Sequence, residues 1–316
     1  MVSINPEPER MDALLIDRAR GCLLGLASGD AVGTAVEFMP RGSFAPVTDM
    51  LGGGTFGLKP GQWTDDTSMA LCLADSLVAS KGFYPRDQMQ RYVRWMTEGY
   101  LSSNGKCFDI GNATGSALRR FQATREPFSG STDPHSAGNG AIMRLAPVPI
   151  WCHASLEDAV RYSAESSRTT HGAPECLAAA RLFGAMLWCA LNGMPKEQVL
   201  DAQSWAHAVG ALPTPAMQAI ADGAWRDKTT AEISSTGYVV HTLEAALWCT
   251  ASTDSYAEAV LRAANLGDDA DTVAAVTGQL AGALYGAEGI PPHWRARVAL
   301  GKLIQAYADA LLALGR

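Results

Sequence analysis

The chain lacks several things that would place it quickly. Its seven cysteines stand singly at 22, 72, 107, 152, 176, 189 and 249, with no C-x-x-C pair. That excludes a zinc ribbon, and the odd count argues against a disulfide framework. Most sit among apolar residues, as in "GCLLGL" and "ALWCT", where a free cysteine acts as a small core hydrophobe. A reducing compartment suits them, so a cytoplasmic location is expected. Basic excess is also missing. Lys and Arg total 25 against 32 Asp and Glu, a net charge of -7, which argues against wrapping nucleic acid or lying on an acidic membrane. No segment approaches the ~20 unbroken apolar residues of a membrane span. The start, "MVSINPEPERMDALL", has no basic stretch leading into an apolar one, so no signal peptide is expected. There is no phosphate-binding P-loop, no G-x-S-x-G elbow and no Cys–His signature. Strand-type alternation is scarce, with "GYVVHTL" (237–243) the one tempting stretch.

What is present is apolar and helical. Hydrophobic residues make up 47% of the 316 and charged ones 18%, enough for a large buried core. Apolar positions recur at helical spacing over 14–33, 65–80, 174–191, 238–251, 255–266 and 271–286. A last long segment, 293–314, is read as one helix closing the bundle. Several of these are thick with alanine and glycine, which lets backbones approach closely. The loops near 40–63 and 125–138 are rich in Gly, Pro and Ser, yet no repeat or low-complexity linker divides the chain. The expectation is a compact, all-α, multi-helix single domain over 1–316, with its core at about 18–314.

The acids come in matched sets. "WTDDTSMA" (63–70) and "LGDDADT" (266–272) each place threonine and aspartates in front of an apolar helix. Neighbouring carboxylates can converge there, because the chain at a helix N-terminus is only half wound. The glycines of "LGGGTFGLKPG" and Gly267 allow the tight entry. In "GDAVGTAVE" (29–37), Asp30 and Glu37 flank Gly33 as a third candidate. Helix capping accounts for each set taken alone; their recurrence favours a metal centre. Carboxylates with threonine hydroxyls, and no soft ligand, suit Mg²⁺, Mn²⁺ or Ca²⁺. Four or five facing carboxylates need more than one divalent ion to relieve their repulsion, so two metals are expected.

"GDAVGTAVE", "GQWTDDTSMA", "FDIGNAT" (108–114), "GNGAIMR" (138–144) and "LGDDADT" together resemble the ordered motifs of the ADP-ribosylglycohydrolase family. Within it, the likeness is to the bacterial dinitrogenase-reductase-activating type. The resemblance runs from about 18 to about 290. It implies an all-α fold with two Mg²⁺ or Mn²⁺ ions, and removal of ADP-ribose from a modified arginine on a protein. It also implies Thr64, Asp65 and Asp66 on one side of the metal pair and Asp269, Asp271 and Thr272 on the other. Asp65 and Asp271 are then closest to both ions. Asp268 falls where relatives often have glycine, and is read as a cap or a supporting residue rather than a ligand.

By the same resemblance, Glu37 lies beside the ions, ligating one or orienting water. Asp109 lies near the ribose and the guanidinium, unless it only caps the helix starting near Asn112. Gly111 and Asn112 give ligand close backbone access. Gly138, Asn139 and Gly140, read as the start of a helix, would bind the diphosphate through free N–H groups. His171 in "TTHGAPE" would touch the diphosphate or ribose. Release of ADP-ribose from serine, or from a small conjugate, is the alternative within the same chemistry. A non-enzymatic or immunity-type binding protein of the same fold is the alternative outside it, and the 195–237 stretch is where a loop across the cleft would show.

Overall fold

The first long helix carries glycine at every fourth position, Gly21, Gly25, Gly29 and Gly33, and that spacing sets them along one face. In the computed structural model, which describes residues 8–315, this face meets a second helix backbone to backbone. The helices are α1 (Pro8–Gly33) and α13 (Ala270–Tyr285). A methyl group at Gly25 would lie 2.2 Å from the Gly278 carbonyl oxygen, and one at Gly278 would lie 2.1 Å from that of Gly25. Gly21 faces Gly282, Gly29 faces Ala274 and Gly33 faces Ala270 in the same way. The pairing is antiparallel, so the C-terminal end of α1 meets the N-terminal end of α13. That brings "GDAVG" against "DDADT", about 240 residues apart in sequence.

The other helices follow in chain order: α2 (Asp65–Ser80), α3 (Pro85–Glu98), α4 (Asn112–Thr124), α5 (Pro147–Trp151), α6 (Leu156–Thr170), α7 (Pro174–Leu191) and three short ones, α8 (Lys196–Val199), α9 (Ala206–Val209) and α10 (Pro215–Ala221). Then come α11 (Val239–Ala251), α12 (Tyr256–Ala264), α13, α14 (Pro292–Arg297) and α15 (Gly301–Ala313). Among the described residues there is no strand, only isolated bridges such as Gly138 with Tyr238. The all-α single domain expected from the periodicity is what the chain forms. The tempting "GYVVHTL" turns helical from Val239. Helix α13 is buried from Ala270 through Ala283, and α1, α7, α11, α12 and α15 pack about it or its neighbours. By length and composition α7 could cross a membrane, but 72% of it is buried inside the fold.

One expected element breaks. The segment 293–314 is two helices, not one, because the chain between them bonds outward. Ala299 N–H donates to Gly61 O at 2.8 Å, the Trp63 indole donates to Ala299 O at 3.0 Å, and Leu300 turns to φ +57°. This break ties the C-terminal region to the loop that leads into α2.

Candidate metal centre and ligand cleft

Thr64 stands at the N-cap of α2 and Asp269 at the N-cap of α13, yet neither side chain caps its helix. The capping role at α2 is taken by Asp30, reaching across from α1. Its carboxylate accepts from Thr64 N (2.9 Å), Thr64 Oγ1 (2.9 Å), Thr67 N (3.1 Å) and Thr67 Oγ1 (2.6 Å). Asp30 is therefore fully engaged as a cap and is not a free ligand, which corrects its reading as a third metal candidate. Because that job is done from elsewhere, Asp65 and Asp66 are released from it. Nor do all the acids stand in front of their helices, as Asp269 does. Asp65, Asp66, Asp271 and Thr272 occupy the first turns themselves.

These side chains converge. Asp65, Asp66 and Asp271 bring one oxygen each within 4.8 Å of one another, and so do Glu37, Asp109 and Asp271. Asp271 belongs to both triads. Thr64 Oγ1 lies 3.3 Å from Asp66 Oδ2 and 3.2 Å from Asp271 Oδ2 in addition to its Asp30 contact. One hydroxyl proton cannot serve three carboxylates. Thr272 Oγ1 lies 3.5 Å from Asp66 Oδ2. Three buried oxygens, Glu37 Oε2, Asp66 Oδ1 and Asp271 Oδ1, have no hydrogen-bond partner. Among the described residues, no lysine or arginine lines the cleft above them. Burial, and then repulsion from neighbouring carboxylates, holds Asp65, Asp66 and Asp271 well above the ordinary carboxylate range. Unpaired buried anions of this kind are costly. The all-oxygen donor set and the orphaned oxygens fit hard divalent cations, and the two triads provide two places sharing Asp271.

Asp269 is held differently. Its backbone N–H donates to Ser235 O at 2.9 Å, and its Oδ2 accepts from Asn139 Nδ2 at 2.6 Å. Asn139 Nδ2 also donates to Thr242 Oγ1 at 2.8 Å. The Asn139 side-chain amide is thus committed to orienting an acid, and its backbone N–H, expected to be free for the diphosphate, donates to Gly237 O at 3.1 Å. Asp268 is exposed; its backbone exchanges bonds with the chain after Glu37, Phe38 N to Asp268 O at 2.7 Å and Asp268 N to Met39 O at 2.9 Å.

Asp109 does not cap α4. Gly111 holds the N-cap position, while Asp109 sits at φ +60° and turns its carboxyl toward Glu37 and Asp271. Burial, with repulsion from Asp109, pushes Glu37 up to about 10. Burial likewise pushes Asp109 up to about 7. Gly111 and Asn112 line the same cleft of about 750 Å³, with Asp65, Asp269 and Thr272.

The glycine-rich part of that cleft is Gly138, Asn139, Gly140 and His171. Residues 138–144 form successive turns rather than the start of a helix; the next helix begins only at Pro147. The expected helix N-terminus is absent there: Ile142 N and Met143 N both bond to Asn139 O, and Leu145 N to Ile142 O, a single wound turn that does not continue as a helix. His171, at the C-terminal end of α6, packs on both glycines. A methyl at Gly140 would lie 2.6 Å from its Cε1, and one at Gly138 would lie 3.4 Å from its Nε2. Burial, and then the charge of Arg144, holds His171 down to about 3, so its ring is neutral. Behind it, fully buried Arg144 donates to Gly140 O (2.8 Å) and Thr170 Oγ1 (2.8 Å), and that hydroxyl meets His171 Nδ1 at 2.9 Å. Arg144 was visible in "GNGAIMR" but nothing marked it as a support. Of the 195–237 stretch, Thr236 and Gly237 line the cleft.

A family model described as ADP-ribosylglycohydrolase matches residues 11–316. The chain is 49% identical over 296 residues to the ADP-ribosylarginine hydrolase Tri1 of Pseudomonas putida, covering 94% of this chain and 78% of that protein. It is 32% identical over 308 residues to the ADP-ribosyl-[dinitrogen reductase] glycohydrolase of Rhodospirillum rubrum, covering 94% and 96%. A solved structure described as an ADP-ribosylglycohydrolase-related protein complex superposes with a TM-score of 0.84 at 42% identity, covering 96% of this chain and all of that one. The family model and these relatives place the fold and its acidic cleft in a class of glycohydrolases. Within that class, the chain belongs to the ADP-ribosylglycohydrolase family.

Proposed function

We propose that the protein releases ADP-ribose from modified arginine side chains of proteins, with two divalent cations, Mg²⁺ or Mn²⁺. The observation that carries this reading is Asp271, one carboxylate common to two acidic triads, with partnerless buried oxygens around it. The Pseudomonas relative, named as an ADP-ribosylarginine hydrolase, supports the linkage. Thr64, Asp65, Asp66, Asp269, Asp271 and Thr272 would hold the cations. Bound there, the cations would supply neutralisation of these carboxylates and a more acidic water.

The chain's own groups do the rest. Glu37 and Asp109 approach each other closely, and both hold protons more tightly than ordinary carboxyls do. Such a pair can keep one proton between two oxygens, giving it to the departing nitrogen and taking one from water. The carboxylate in the ionised state also stabilises positive charge growing on the ribose ring as the bond to C1 breaks. The Gly140 turn and neutral His171 leave room for the diphosphate, while the Gly138 and Asn139 N–H groups are bonded to Ser136 O and Gly237 O. The substrate is an ADP-ribosylated protein, the product is ADP-ribose, and the free cysteines support a cytoplasmic setting.

The test compares ADP-ribose release from arginine-linked and serine-linked proteins, with Mg²⁺, Mn²⁺ or EDTA. Metal-dependent release from arginine is expected. Release from serine alone would overturn the linkage, and full activity in EDTA would overturn the cations.

A further inference from the structure

Phe38 is 60% exposed and sits at φ +64°, a left-handed conformation that a bulky side chain adopts only at a cost. Neither burial nor local preference accounts for a phenylalanine there. The backbone is held in place by the paired bonds between Phe38–Met39 and Asp268. Phe38 directly follows Glu37, and Phe108 directly precedes Asp109. Between their rings lies Phe56. Its centroid is 6.4 Å from that of Phe38, at 71°, and 5.1 Å from that of Phe108, at 54°. Phe56 is presented by a tight loop closed by Gly53 N to Leu58 O (2.7 Å) and Leu58 N to Gly53 O (2.9 Å). A methyl at Gly54 would strike Thr34 O at 2.0 Å, so the loop presses on the turn that leads into Glu37. Three rings therefore form a row that reaches the cleft at Phe38, which lines it together with Glu37 and Asp109.

We propose that Phe38, Phe56 and Phe108 are the leaving-group subsite, an aromatic rim that receives the guanidinium and alkyl stem of the modified arginine. This rests on the hydrolase reading above. A guanidinium is planar, weakly hydrated and cationic, so it stacks on aromatic faces while carboxylates alongside balance its charge. A serine linkage offers no cation to such a row. The rim thus selects the linkage, while the metal and diphosphate regions hold the ADP-ribose half.

The experiment uses ADP-ribosylarginine as substrate and free ADP-ribose as competitive inhibitor, with Phe38→Leu, Phe56→Leu, Phe38→Trp and Phe56→Trp in the full chain. Leucine keeps apolar bulk but has no π face. The leucine variants should raise KM for ADP-ribosylarginine by about 2- to 30-fold, the range a cation over an aromatic face contributes. The inhibition constant of ADP-ribose should stay within about twofold, and tryptophan should restore KM. Unchanged KM in both leucine variants would overturn the subsite. So would an ADP-ribose constant that moves in parallel with KM, because the rings would then serve the common half of the ligand. A wild-type chain that ignores the arginine conjugate overturns the hydrolase reading itself, a result distinct from a failure of the rim.

Discussion

The acidic floor of the cleft and its glycine-rich shoulder are built in opposite ways. The floor gathers Glu37, Asp65, Asp66, Asp109 and Asp271 with, among the described residues, no lysine or arginine lining the space, and leaves three buried carboxylate oxygens without partners. The shoulder, Gly138–Gly140 with His171, presents no charge to the cleft. Its one cation, Arg144, is fully buried behind the turns and bonded to Gly140 O and Thr170. The shoulder is complete as folded, whereas the floor is in electrostatic deficit until positive charge arrives. Ligand can therefore enter a preformed shoulder, while the floor's geometry depends on what neutralises it.

Removing the residue common to both triads should do the most damage. Asp271→Ala is expected to lower ADP-ribose release by well over about a hundredfold, more than the 10- to 100-fold typical of residues that merely orient a ligand. It should also erase the rise in melting temperature on adding Mg²⁺ or Mn²⁺, since stabilisation by a bound ion vanishes with its site. Melting temperature in EDTA should not fall, because a repelling charge has gone. A variant that keeps its metal-induced shift would separate Asp271 from the cations. Next in size is Asn139→Ala, which leaves Asp269 Oδ2 without its 2.6 Å donor. We expect about 10- to 100-fold weaker metal affinity by calorimetry, with saturating metal restoring turnover.

On the shoulder, Gly140→Ala would put a methyl 2.6 Å from His171 Cε1 and displace the ring. ADP-ribose affinity should fall by about tenfold while the metal-induced stabilisation remains. Loss of both together would mean that floor and shoulder are not independent.

Acidity distinguishes the two regions more gently. Glu37 and Asp109 are raised to about 10 and about 7, and the buried aspartates are raised too, so the folded chain binds more protons than the unfolded one. Stability then falls as pH rises from the ordinary carboxylate range through these raised values. In EDTA the melting temperature should drop by several degrees between pH 5 and 9, and Mg²⁺ should flatten the drop. His171, held down to about 3, acts in the other direction, lowering stability as pH falls below about 6.5.

Much of this was legible in the sequence where the signal was local. Helices α2 and α7 run over the segments their periodicity marked, and the Thr–Asp sets lie at the site. What escaped was carried by contacts distant in the chain. Asp30 caps a helix 35 residues on, so acids that looked like caps are free. Asn139 binds an acid 130 residues away. The break at Leu300 comes from bonds to Gly61 and Trp63 that no periodicity in 293–314 encodes. The glycines at 21, 25, 29 and 33 were plain in the sequence, but their partners on α13 were not.

The smallest expected effect separates two neighbours. Asp268 and Asp269 are adjacent acids in one motif, but their surroundings differ. Asp269 is tied by its backbone to Ser235 and by its carboxylate to Asn139. Asp268 is exposed, its φ is +54°, and its carboxylate has one 3.3 Å contact, from Ser235 Oγ. What Asp268 contributes is its backbone, which pins the chain after Glu37 at 2.7 and 2.9 Å. Asp268→Asn keeps that backbone and tolerates a left-handed φ well, so ADP-ribose release should stay within about twofold. Asp269→Asn, one position on, should weaken metal-dependent activity by at least tenfold. Equal losses at the two positions would make Asp268 a working member of the floor, and the aspartates of "LGDDADT" would then act as three ligands rather than two ligands and a hinge.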